Sequence, residues 1–208
     1  LLIIIDSALL APLAPYDPDA YDTAAMLQGP SSEHLLGTDD LGRDTFTRLL
    51  YGGRVSLMVG FAAMIVAVCI GTLFGTISGY VGGKVDMVCM RIVDIFLSVP
   101  SLLFIIVIYA FLPQNSVTLI MMLAFFSWTK VARVVRAQTL TLKERDFVLA
   151  AKALGVNHLV IIVKHIIPNI MPQIIVSGSL SIANAILDES TLSFLGYGVQ
   201  LPTSSWGS

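Results

Sequence analysis

The feature that most constrains this sequence is the uncharged run VSLMVGFAAMIVAVCIGTLFGTISGYV, at residues 55–81. A helix rises about 1.5 Å per residue, so about 20 apolar residues are enough to cross the hydrocarbon core of a bilayer. Lipid offers the backbone no hydrogen-bonding partner, and such a run must satisfy its peptide groups within itself, as a helix. Residues 55–81 therefore predict a membrane-spanning helix.

The composition extends this conclusion to the whole chain. Hydrophobic residues make up 56% of the sequence and charged residues 12%, with a mean hydropathy of +0.85. A typical soluble domain is about 45–50% apolar and about 25% charged. We therefore expect an all-α fold, a polytopic bundle of membrane helices.

Three further apolar segments, 85–112, 117–129 and 166–187, have the composition of spans. Residues 117–129 are too few to cross, so we expect this helix to continue past the membrane surface, with Lys130 extending its charge toward the headgroups. Pro100 lies inside the segment 85–112 and is expected to kink that helix. The apolar run that opens the chain is taken as the end of one further helix. With the four segments above, it brings the number of predicted spans to five.

Lysine and arginine are unevenly distributed between the predicted loops. The loop 13–54 holds three arginines against seven acidic residues, whereas nine of the twelve basic residues fall on the opposite side of the membrane. Basic side chains accumulate in cytoplasmic loops. We therefore expect loop 13–54 to be extracytoplasmic and segment 139–171 to be cytoplasmic.

Small residues recur every fourth position along the run 55–81. They are Ala63, Ala67, Gly71, Gly75 and Gly79. In lipid, such a ridge lets another helix approach closely. We favour packing within this chain, and an interface with another subunit is the alternative.

Two charged residues, Arg91 and Asp94, lie three positions apart at the start of the segment 85–112 and so share a helix face. Charges inside a membrane are costly unless they are paired or lie near the interface. We favour a structural ion pair between them near the cytoplasmic surface, and a place in a transport pathway is the alternative.

No catalytic or metal-binding motif is present in the sequence. Asp188 and Glu189 are adjacent carboxylates, but consecutive helix positions point about 100° apart, so capping or loop anchoring is the preferred role. There is no phosphate-binding loop and no H-E-x-x-H motif, and the three histidines form no ligand cluster within one motif. We predict no catalytic residue, no metal ligand and no cofactor bound by this chain.

A polar segment, residues 141–169, separates two of the apolar runs. Thr141 is expected to cap a first helix, Gly155 to end it in a left-handed conformation, and Asn157 to cap a second helix. Pro168 and Pro172 are expected to break or restart the chain where it re-enters the membrane.

The first helix of this segment is predicted to present a docking surface. One face carries Phe147, Ala150, Ala151 and Leu154 at helical spacing, and its small residues would let a partner approach closely. The predicted docking residues are Glu144, Arg145, Asp146, Phe147, Ala150, Ala151, Lys152 and Gly155.

The stretch AAKALGVNHLVIIVKHIIPN resembles the cytoplasmic loop of bacterial ABC importer permeases, a signature that begins Glu-Ala-Ala, has a glycine four residues after the second alanine and ends near a proline. Ala150, Ala151 and Gly155 match, as does Pro168, whereas Leu149 stands in place of the glutamate. Three more blocks, HLLGTDDLGRDTFTRLLYGGRVSL, GGKVDMVCMRIVDIFLSVPSLL and STLSFLGYGVQLPTSSWG, are similar to the dipeptide, oligopeptide and nickel branch of that family.

The resemblance implies a permease of six spans, and we expect the chain, as one permease domain over residues 1–208, to be incomplete at both ends. It implies as partners a second homologous permease subunit, two ATPase subunits that bind ATP and Mg and receive the loop 139–171, and an extracytoplasmic substrate-binding protein. Lipid surrounds the chain and no nucleic acid is expected. The implied localisation is the bacterial or archaeal inner membrane.

The resemblance leaves the solute open between peptides, which are favoured, and nickel or another small solute. A function of a different class, an ATP-independent secondary carrier or channel, would require an intramembrane ionisable relay and inverted repeats. The sequence has no visible repeat, and Asp94 is its one relay candidate.

Overall fold

A computed structural model describes residues 11–199 and 203–207 of the chain. Every regular element in these residues is helical, which confirms the predicted all-α class. The helices are α1 (Thr45–Val81), α2 (Gly83–Ser98), α3 (Ser101–Tyr109), α4 (Ser116–Leu142), α5 (Asp146–Ala153), α6 (His158–Ile161) and α7 (Ile167–Phe194). Short 3-10 turns occur at Ala11–Leu13 and Thr23–Ala25, and a π-helical turn at Ile162–Ile166 joins α6 to α7.

Among the described residues, three helices are long and apolar enough to cross a membrane: Thr45–Val81, Ser116–Leu142 and the continuous helix His158–Phe194. A fourth span is possible if α2 and α3 are taken together. The predicted N-terminal span falls mostly on residues 1–10, outside the described residues. The chain is therefore a multi-pass membrane protein, as its composition predicts.

Helix α1 begins at Thr45, ten residues before the predicted start of the span at residue 55. Its first turn is capped by Asp44, whose carboxylate accepts a hydrogen bond from the Thr47 backbone amide at 2.8 Å. A helix of 37 residues is about 55 Å long, longer than the hydrocarbon core, which is about 30 Å thick. Arg48 and Arg54, assigned from sequence to the loop 13–54, therefore lie in the helix.

The predicted kink at Pro100 is confirmed. Helices α2 and α3 meet there at 79°, and Val99 between them is extended, with φ −99° and ψ 134°. The ring of a proline disfavours the helical conformation of the preceding residue, so Val99 leaves the helix.

The predicted extension of 117–129 is also confirmed, because α4 continues to Leu142. The prediction that Pro168 and Pro172 break or restart the chain is only partly right: α7 starts at Ile167, next to Pro168, but both prolines lie within the continuous helix His158–Phe194. A proline removes one helical hydrogen bond and crowds the carbonyl four residues earlier. The wide π turn Ile162–Ile166 ends two residues before Pro168. It includes the residue whose carbonyl this ring would crowd, so the helix accommodates the proline without ending.

The contacts group the described residues into two compact units. Unit 1 contains the residues up to 61, residues 106–120 and those from 186 onward. Unit 2 contains residues 62–105 and 121–185. The polar loop before α1 belongs to unit 1, and the α5–α6 hairpin belongs to unit 2.

The ridge of small residues on α1 lies against α4 in unit 2. A β-carbon added to Gly71 would come within 2.7 Å of the Trp128 carbonyl oxygen, and one added to Gly75 within 2.5 Å of the Ala132 carbonyl oxygen. One added to Gly79 would come within 2.9 Å of the Arg136 carbonyl oxygen. The two helices thus touch at backbone distance.

The alanines of the ridge are also buried. Ala67 packs in a cluster with Val93, Trp128 and Ala132, and Ala63 is 1% exposed. The ridge therefore lies inside the chain, in the arrangement favoured from the sequence.

We predict that Gly75→Ala lowers the melting temperature of the detergent-solubilised protein. The added methyl group meets the α4 backbone, and overpacking of this kind costs about 1–3 kcal/mol. The matched control is Gly178→Ala, whose β-carbon would lie at an ordinary 3.4 Å from its nearest neighbours. Equal melting temperatures for the two variants would contradict the close α1–α4 contact.

Candidate functional site

The hairpin formed by α5 and α6 is closed by two local devices that the sequence predicts. Gly155 has a φ of +74°, the left-handed conformation that ends a helix at low cost only for glycine. Its amide donates to the Lys152 carbonyl at 3.0 Å. Asn157 then caps α6, because its side-chain oxygen accepts from the Leu159 amide at 2.8 Å.

The predicted cap at Thr141 is wrong. Thr141 lies within α4, where its hydroxyl donates to the Ala137 carbonyl one turn earlier at 3.2 Å. Helix α5 begins only at Asp146, after Arg145, which makes no side-chain capping bond. A threonine can satisfy its hydroxyl inside a helix as well as at its start, so the spacing to Glu144 is not decisive.

The side of α5 that faces its own chain is defined by Val148 and Ala151, which are 0% and 8% exposed. They pack in a cluster whose other buried members are Tyr80 on α1, Val131 and Val135 on α4, and Ile161, Ile166, Ile170 and Ile174 on the helix His158–Phe194. The hairpin is thus anchored to three long helices of unit 2.

The apolar face predicted for α5 is therefore only partly right. Of its four residues, Ala151 is buried, whereas Ala150 is exposed and Leu154 is 83% exposed. Val148, which the sequence analysis missed, lies three positions before Ala151, and this spacing was the available signal.

The opposite side of α5 is open. The exposed residues on it and in the two positions before it are Glu144, Arg145, Asp146, Phe147, Leu149, Ala150 and Ala153. The charged residues Glu144, Arg145 and Asp146, of both signs, precede the short side chain of Ala150. A surface of this kind, held rigidly from behind, is suited to contact with another protein.

The predicted ion pair between Arg91 and Asp94 is wrong. Asp94 pairs instead with Arg133 on α4. A second pair links Asp86 on α2 to Arg136 on α4, and Ser78 donates to the same Asp86 carboxylate at 2.5 Å. The guanidinium groups of Arg133 and Arg136 on α4 contact the carboxylates of α2 directly. The sequence of α2 alone does not predict these pairs, because the basic partners lie on another helix.

In unit 1, Glu189 anchors a loop, one of the two roles that the sequence analysis preferred for it and Asp188. Its carboxylate is fully buried and accepts hydrogen bonds from Ser56 at 2.8 Å and Ser193 at 2.7 Å. The Trp206 backbone amide donates to the same Ser56 hydroxyl at 3.2 Å. Glu189 thus fixes the segment around Trp206 against the beginning of α1.

The loop before α1 carries a network of charges. Asp44 contacts His34 at 3.0 Å, and Asp39 accepts from Arg43 at 2.7 Å. Burial by itself raises the pKa of both carboxyls. Hydrogen bonds from Thr47 and His34 to Asp44, and from Arg43 to Asp39, outweigh the burial and hold each pKa below its usual range.

Asp39 and Arg43 line a cavity of about 460 Å³, together with Arg48 and Trp206 among others. Arg48 donates to the Pro18 carbonyl at 3.1 Å and lies 3.7 Å from the Asp19 carboxylate. Both arginines lie near Asp39, so each guanidinium has a carboxylate beside it.

The comparison with known proteins decides the family. The protein-family model described as the binding-protein-dependent transport system inner membrane component matches residues 71–208. The chain belongs to this family. The oligopeptide transport system permease protein OppC of Bacillus subtilis (strain 168) is 42% identical over the whole chain, which covers 68% of that relative. OppC of Escherichia coli (strain K12) is 45% identical, with 100% of this chain and 70% of the relative covered.

A dipeptide relative is similar to the same extent. The dipeptide transport system permease protein DppC of Bacillus subtilis is 40% identical over 100% of this chain and 65% of its own length. The chain thus spans about two thirds of the length of these transport-system components. The resemblance to the dipeptide, oligopeptide and nickel branch of the permease family, which four sequence blocks indicate, is confirmed.

We predict that acid destabilises the loop of unit 1. A carboxyl whose pKa is lower in the folded protein than in the unfolded chain stabilises the fold above the unfolded pKa, about 3.9 for aspartate, and this contribution is lost as the pH falls through the folded pKa. Asp44→Asn should therefore be less stable at neutral pH and lose less stability between about pH 6 and about pH 3.

Thermal unfolding measured over this pH range checks the prediction. Asp40→Asn, a change at an exposed neighbouring position, is the matched control and should follow the wild-type profile. If Asp44→Asn and the wild type lose stability in parallel, the buried carboxylate does not have the role assigned to it.

Proposed function

We propose that the chain is the permease subunit of an ATP-driven importer of peptides, located in the inner membrane. Its relatives are named as permeases of oligopeptide and dipeptide transport systems, which supports a peptide as the solute. The observation that carries the coupling part of the proposal is the α5–α6 hairpin, open on one side and anchored on the other through Val148 and Ala151.

The proposed mechanism is mechanical. Two ATPase subunits, which bind ATP and Mg, close on the nucleotide and move the cytoplasmic hairpins docked on them. In this chain the displacement passes from α5 through Val148 and Ala151 to Tyr80 on α1, Val135 on α4 and Ile170 on α7. Because close-packed interiors transmit displacement rather than absorb it, the spans of unit 2 move with the hairpin.

A second homologous permease would complete the translocation pathway, which opens to one side of the membrane and then to the other. The substrate arrives from an extracytoplasmic binding protein. We place the docking of that protein on the extracytoplasmic loop before α1, where the charges around Arg43 and Asp39 are held in fixed positions.

Ala150→Asp in the intact transporter tests the coupling proposal. Ala150 is exposed at the centre of the open side of α5, so the added carboxylate leaves the fold of the hairpin unchanged and disturbs the docked ATPase. We expect ATP-driven peptide uptake to fall at least about ten-fold, since an uncompensated interfacial charge costs several kcal/mol. The ATPase subunits should co-purify less well while the amount of permease in the membrane stays normal.

Gln114→Asp introduces the same side chain at an exposed position of the loop between α3 and α4, outside both proposed docking surfaces, and is the control. It should leave both uptake and co-purification of the ATPase intact. Full uptake by Ala150→Asp at normal membrane levels would overturn the coupling proposal.

A further inference from the structure

A second cavity of about 500 Å³ lies in unit 2, where α1 ends and α6 begins. Its polar lining is Tyr80, Lys152 and His158, and its apolar lining includes Ile77, Val81 and Leu159. The open side of α5 around Ala150 does not contribute to this lining. The transport function described above therefore leaves the cavity without a role.

The three polar side chains form one connected group. The Lys152 ammonium lies over the Tyr80 ring, 4.9 Å from its centroid, and the Tyr80 hydroxyl shares a hydrogen bond of 2.7 Å with Nδ1 of His158. If the hydroxyl donates, the neutral imidazole carries its proton on Nε2. If Nδ1 donates, the Tyr80 hydroxyl keeps its own proton free to donate to a ligand. In either arrangement a neutral donor remains beside the lysine.

The charges favour an anion. No aspartate or glutamate lines the cavity, and among the residues that the structure describes Lys152 makes no ion pair with a carboxylate. An ammonium with three donors and a hydroxyl or imidazole donor beside it suit the oxygens of a phosphate group.

The position of the cavity favours a lipid. Ile77, Tyr80 and Val81 belong to the last turns of one helix long and apolar enough to cross a membrane, and His158 and Leu159 begin another, so the cavity lies beside the ends of two such helices. Its apolar rim is open, with Val81 58% and Leu159 70% exposed. Aliphatic side chains beside a cationic group at a membrane surface match the two parts of a phospholipid.

We propose that this cavity binds the phosphate headgroup of an anionic phospholipid from the cytoplasmic leaflet. Lys152 and the Tyr80–His158 pair hold the phosphate, and Ile77, Val81 and Leu159 contact the upper part of an acyl chain. Since Lys152 is on α5 and Tyr80 is on α1, the bound lipid joins the hairpin to the end of a spanning helix. Binding requires neither ATP nor transport.

Native mass spectrometry of the intact transporter, purified in mild detergent and titrated with phosphatidylglycerol or phosphatidylcholine, tests the proposal. We expect the wild type to retain phosphatidylglycerol preferentially. The double variant Lys152→Gln, His158→Gln should bind it at least about ten-fold more weakly, because charge-assisted hydrogen bonds are lost. Lys84→Gln, which removes an exposed lysine outside the cavity, should bind phosphatidylglycerol as the wild type does.

Three results would overturn the proposal. Equal retention of phosphatidylglycerol by the double variant and the wild type would show that the cavity is not the lipid site. Displacement of the lipid by an equal concentration of inorganic phosphate would assign the site to a free anion. If the double variant kept its lipid but lost the ATPase subunits, the cavity would instead be part of a protein interface. Melting temperatures of the variants without added lipid establish that they fold.

Discussion

The contact between α1 and α4 determines what the rest of unit 2 can do. At Gly71 and Gly75 the two helices approach so closely that a single β-carbon would meet the opposing backbone. A pair of helices packed at this distance has little freedom to slide, because neighbouring atoms leave no space for rearrangement. The ion pair between Asp86 and Arg136 joins α2 to the same helix α4. The hairpin that follows α4 is therefore attached to a stiff group of helices.

This attachment gives the two sides of α5 different roles. Val148 and Ala151 hold the helix to its own chain, and Ala150 lies at the centre of the side left open. Such a division is what a lever requires: a fixed connection on one side and an exposed surface on the other. The proposed lipid at Lys152 and Tyr80 would strengthen the fixed connection without covering the open side.

Sequence reasoning succeeded where the cause is local. The uncharged run predicts a span, Pro100 predicts the bend, and Gly155 and Asn157 predict the closure of the hairpin, because each acts on its own backbone. It failed where the partner is distant in the chain. Arg133 competes with Arg91 for Asp94 from another helix, and Tyr80 meets His158 across 78 positions. The start of α1 was missed for a different reason: the capping signal of Asp44 and Thr47 was present but lies outside the uncharged run.

Cysteine cross-linking measures the central claim most directly, that the open side of α5 receives the ATPase while the other side belongs to the permease. Cys69 and Cys89 are first replaced by serine, and single cysteines are placed at positions 150 and 148 of the intact transporter. The account predicts that the cysteine at 150 cross-links to an ATPase subunit and that the one at 148 does not. Efficient cross-linking from 148, or none from 150 while the ATPase remains bound, would contradict it.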